Sequence, residues 1–73
     1  MNDYILIEAR PARTGYKALV MKRRMDAPER FIVASGFDQT RPDDPIWYGG
    51  GLYFSDLKEA VDQFENWTRT QED

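Results

Sequence analysis

The sequence predicts an α+β fold: a small twisted antiparallel sheet of three to five strands, with one C-terminal amphipathic helix packed on one face. Three observations predict it. Short apolar runs rich in β-branched and aromatic residues are separated by brief Gly/Pro breaks, the pattern of antiparallel hairpins. A helical stripe of apolar residues follows near the end of the chain. And 73 residues, with no Cys and no His, leave room for one packed core and no disulfide or Cys/His zinc site to support it. Residues 1–73 are therefore expected to form a single compact unit, with a radius of gyration of about 11 Å.

The first strand is expected at residues 4–9, Tyr-Ile-Leu-Ile-Glu-Ala. Residues 11–15, Pro-Ala-Arg-Thr-Gly, form a turn. In residues 16–24 one alternating set holds Leu19 and Met21 and the other holds Ala18 and Val20. Both faces are semi-apolar, which predicts a central strand. Asp26 and Pro28 mark a second turn, and residues 31–35, Phe-Ile-Val-Ala-Ser, a third strand. Residues 36–45 hold one Gly, two Pro and three Asp and read as the longest loop. Ile46-Trp47-Tyr48 and Leu52-Tyr53-Phe54 flank Gly49-Gly50-Gly51 and form either a small hairpin or one strand with a glycine bulge. The helix is expected from Asp56 to Arg69. Ser55 or Asp56 serves as N-cap, and Glu59 stands three residues after Asp56 in a capping-box pattern. Leu57, Ala60, Val61, Phe64 and Trp67 form its apolar stripe, and Glu65 and Arg69 an i,i+4 pair. One helix covers one sheet face, so the other face is expected to lack cover from within the chain.

Composition excludes several chemistries. Without Cys there is no thiol catalysis and no thiolate zinc site, and without His no Ser-His-Asp or Cys-His arrangement. No catalytic, cofactor-binding or metal-ligating residue is expected, and the chain is not read as an enzyme. Asp43 and Asp44 lie together in a Pro-flanked loop suited to a hard cation, but the twelve-residue calcium-loop spacing is absent. The three glycines lack the Lys-Ser/Thr of a phosphate loop and the spacing of a dinucleotide fold. The longest apolar runs are a few residues, so no membrane partner is expected. The start Met-Asn-Asp-Tyr is not a secretory signal, which points to a cytoplasmic setting.

Charge is divided along the chain. Residues 1–30 carry a net of +3 and residues 31–73 a net of −6, leaving −3 in all. The acidic half supplies Asp38, Asp43 and Asp44 in the loop, and Glu59, Asp62 and Glu65 on the helix. These acids, with Trp47 and Tyr48, are the candidates for contact with a partner protein bearing a basic surface. The basic half supplies Lys17, Lys22, Arg23 and Arg24, with Tyr4 and Tyr16 interleaved and Arg10, Arg13 and Arg30 nearby. That set is the alternative candidate, for single-stranded nucleic acid. Set against each is the plainer reading of a solvated hairpin end or an ordinary helix face with acids near its dipole.

The order of antiparallel strands followed by one helix is similar to that of small single-strand-binding sheets of the coactivator type, a likeness that implies nucleic-acid binding. The small size and acidity resemble phage and mobile-element proteins that block nucleic-acid-handling enzymes, anti-CRISPR proteins among them. This likeness implies a non-catalytic inhibitor or accessory protein that acts by occlusion. A homodimer formed through uncovered sheet faces or edges is a third expectation.

Overall fold

The computed structural model describes residues 3–12 and 15–70. It contains β1 (Tyr4–Pro11), β2 (Tyr16–Lys22), β3 (Phe31–Ser35), β4 (Gly51–Phe54) and α1 (Leu57–Thr70). The strands form one antiparallel sheet in the order β1-β2-β3-β4, with α1 packed against β2, β3 and β4. This is the α+β architecture that the sequence predicts. The radius of gyration is 11.4 Å.

The elements follow their local chemistry. β2 and β3 are central and are buried on both faces: Ala18, Val20, Ile32, Val33 and Ala34 are fully enclosed. β1 is an edge strand interrupted by a bulge between Leu6 and Glu8, which places Ile7 out of register. The β1–β2 turn closes with the Gly15 carbonyl accepting from the Ala12 N–H, and Gly15 adopts φ 83°. Arg13 and Thr14 of that turn lie outside the described residues. β2 ends at Lys22, earlier than the alternation predicts. α1 begins once the Asp56 carbonyl accepts the Ala60 N–H at 3.1 Å.

Three expectations change. Ile46-Trp47-Tyr48 is neither half of a hairpin nor the start of a bulged strand. Only Trp47 pairs, in a single bridge to Phe37, and β4 begins at Gly51. The glycines explain why. Tyr48 N–H donates to the Gly36 carbonyl and Gly49 N–H to the Ser35 carbonyl, so the chain crosses β3 backbone against backbone. The helix stripe is also rotated slightly. Leu57 is exposed, while Thr68 is buried with its hydroxyl donating to the Phe64 carbonyl at 2.9 Å. The side chain of Arg69, expected to pair with Glu65, lies outside those described.

The third change is the largest. The sheet face opposite α1 is not left without cover. Ala18, Val20, Ile32, Ala34 and Phe37 form a second core there, with Tyr4, Leu6, Ala9, Tyr16 and Trp47 packed on it. The cover comes from the ends of the long loop: Phe37 enters it, Trp47 leaves it, and the Trp47 ring meets the Tyr4 ring edge-on at 5.2 Å. Under α1 the other core holds Leu19, Val33, Ala60 and Phe64, flanked by Phe31, Phe54, Val61 and Trp67. Two thin cores share one sheet.

Candidate functional site

The acids of α1 come together. Leu57 to Thr70 coil so that Ala60, Phe64 and Thr68 face the sheet and Glu59, Asp62 and Glu65 face outward. These three carboxylates, with Gln63, Asn66 and Phe54, line an open groove of about 500 Å³. Its charge is partly compensated. Lys58 Nζ stands 3.7 Å from Asp62, and Arg10 stands 4.0 Å from Glu65 while holding Glu8 at 2.7 Å. All of these pairs are exposed and screened by water, so each contributes about 0–1 kcal/mol and leaves the acids accessible to a partner. Among the described residues no cation stands at ion-pair distance from Glu59.

The loop acids do not join them. Asp38 accepts both the Thr40 hydroxyl at 2.6 Å and the Thr40 N–H at 3.0 Å. These bonds to the ionised form, the hydroxyl foremost, hold its carboxyl below the ordinary value of 3.8. Asp44 pairs with Arg41 at 3.1 Å, and Asp43 is exposed beside it. The loop thus uses Asp38 and Asp44 to hold itself. It also departs from and returns to the face opposite α1, through Phe37 and Trp47. The ends of the loop and the acidic helix thus belong to opposite faces of the sheet. Of the two loop aromatics named with them, Trp47 is half-buried in the second core and Tyr48 is exposed.

The basic set divides as well. Lys17 is a correction: it is 8% exposed, and its Nζ sits 4.5 Å from the Trp67 ring centre beneath α1, so it is not a surface contact. Strand alternation puts it on the helix face, and Tyr16, one residue earlier, is half-buried on the other. Arg10 packs over the Phe64 ring at 5.0 Å while its side chain stays part-exposed. What remains is the end of β2. Lys22, Arg23 and Arg24 line a groove of about 400 Å³ with Asp3 and Tyr4. Arg24 makes two 3.2 Å contacts to Asp26, Arg30 donates to the Lys22 carbonyl at 2.9 Å, and Lys22 Nζ lies 5.6 Å over the Tyr53 ring.

Sequence reasoning missed Phe54, Gln63 and Asn66 in the acidic groove, and Asp3 in the basic one. Gln63 and Asn66 stand four and seven residues after Glu59, a helical spacing legible beforehand. Phe54 and Asp3 reach their grooves only through tertiary packing. Among the described residues no three carboxylates gather as a metal site. No described helix is long and apolar enough to cross a membrane. Comparison with family models, with curated proteins and with solved structures finds no match for this chain.

Proposed function

We propose that this chain is a non-catalytic binding protein that acts by contact with a partner protein, as an accessory or inhibitor does. The contact surface is the outer face of α1. The observation that carries the reading is the gathering of Glu59, Asp62 and Glu65 along one exposed groove with Phe54, Gln63 and Asn66. An apolar ring flanked by carboxylates and amides suits a basic protein surface. The acids give steering and orientation, and the ring gives area removed from water. A partner whose own ligand is nucleic acid carries such a surface, so occlusion by charge imitation fits this reading, as does a phage or mobile-element origin and action in the cytoplasm.

A second reading is supported by the basic groove, where Lys22, Arg23 and Arg24 stand beside Tyr4. It is contact with single-stranded nucleic acid, phosphates on the cations and a base against the ring. The two readings separate in one titration. A fluorescent single-stranded oligonucleotide is added to the protein at about 50 mM and about 200 mM salt. Protein contact through α1 predicts no binding even at the lower salt. Tight binding that weakens steeply with salt replaces it with the second reading.

A further inference from the structure

The two edges of the sheet are built differently. β1 is protected against pairing with another strand: it is bulged after Leu6, ends in Pro11, and carries the Glu8–Arg10 ion pair. β4 has none of these devices. It reads Gly-Leu-Tyr-Phe without bulge or proline, and residues 45–55 carry no charge in a chain that is 32% charged. Two of the exposed large apolar side chains stand on it, Leu52 at 41% on one face and Tyr53 at 46% on the other.

The hydrogen-bond alternation fixes what this edge offers. Ser35 N–H donates to the Gly50 carbonyl, so Ser35, Val33 and Phe31 bond toward β4. On the other side Lys22 N–H donates to the Arg30 carbonyl, so Arg30, Ile32 and Ala34 bond toward β2. Leu52 and Phe54 are therefore bonded inward, and the backbone groups of Gly51 and Tyr53 point out of the sheet.

We propose that β4 pairs antiparallel with β4 of a second copy of this chain, about a two-fold axis at Leu52, joining the two sheets into one. That register is self-complementary. Gly51 of each copy lies opposite Tyr53 of the other in a hydrogen-bonded pair. Leu52 lies opposite its own equivalent on the helix side. Two copies of net charge −3 repel through their charged surfaces, and the strand itself brings no charge to the contact, the nearest carboxylates being those of α1 that share a groove with Phe54.

A single cysteine tests the register, because the chain has none. At a non-hydrogen-bonded antiparallel pair the Cα atoms stand about 4.5 Å apart, within disulfide range. Leu52→Cys is expected to oxidise to a covalent dimer under mild conditions. Met25→Cys, at a 79% exposed site in the β2–β3 turn, reports random collision and is expected to stay monomeric. Light scattering of the unmodified chain is expected to show a dimer. Leu52→Lys, which sets two like charges face to face at an already exposed site, is expected to return a folded monomer by circular dichroism. The proposal is overturned if the unmodified chain is a monomer throughout a concentration series, if Leu52→Cys cross-links no faster than Met25→Cys, or if Leu52→Lys remains a dimer.

Discussion

Two glycines decide whether the long loop can close over the sheet. A Cβ at Gly36 would stand 2.7 Å from the Gly49 nitrogen, and Gly36 already sits at φ 69°, where side chains are strained. Gly36→Ala is therefore expected to destabilise the fold by more than about 1 kcal/mol in urea unfolding. At Gly50 an added methyl meets nothing within 4 Å, and Gly50→Ala is expected to change stability by less than about 0.5 kcal/mol. Equal losses would show that the backbone approach is not what closes the loop. In the same loop the Thr40 hydroxyl lowers the Asp38 pKa. A depressed folded pKa means this contact stabilises fully above the unfolded value and is lost as pH falls through the folded one, below 3.8. Thr40→Val is expected to move the Asp38 titration upward toward 3.8 in an NMR pH series, while the backbone bond from residue 40 keeps it from returning fully. An unchanged titration would mean the hydroxyl contact is absent in solution.

At the scale of elements, each face of the sheet depends on one aromatic brought in from outside it. Phe64 is buried under α1 and Phe37 under the loop, at 1% and 5% exposure. Truncating either to Ala is expected to cost about 3–5 kcal/mol, comparable with the whole stability of so small a domain. If Phe37→Ala melted close to the unmodified protein, the second core would not be a core. The helix and the three long strands were legible because periodicity and turn residues mark them locally: Ala60 and Phe64 repeat at helical spacing, and Phe31 to Ser35 is a bounded apolar run. The covered second face was not legible. Phe37 and Trp47 stand ten residues apart around a stretch rich in Pro and Asp, so local pattern reads loop and only tertiary pairing reveals two lids. The sites divided the same way. Glu59, Asp62 and Glu65 fall on one side of a predictable helix. Lys17 was misplaced because strand alternation says which residues share a face, not which face the helix chooses.

For the whole molecule, the charge division along the chain becomes a division in space, though not the simple one. The loop is anchored on one face of the sheet through Phe37 and Trp47, and the helix acids ride on the other. The basic half buries Lys17 beneath α1, lays the part-exposed Arg10 against Phe64 and Glu65, and leaves Lys22, Arg23 and Arg24 at one end of β2. What faces water is an acidic, amide-bearing helix and a small basic corner, and the proposed function rests on the first. The most direct test is affinity capture from the native host with three forms of the protein. These are the unmodified chain, the Glu59→Lys/Asp62→Lys/Glu65→Lys variant, and the Lys22→Gln/Arg23→Gln/Arg24→Gln variant. Of the changed residues only Lys22 is part-buried, and Gln keeps the length of its stem, so all three forms are expected to stay folded. Contact through α1 predicts that one basic protein is captured by the unmodified chain and by the β2 variant, and is lost with the helix variant. Capture that survives the helix variant and fails with the β2 variant would contradict the account.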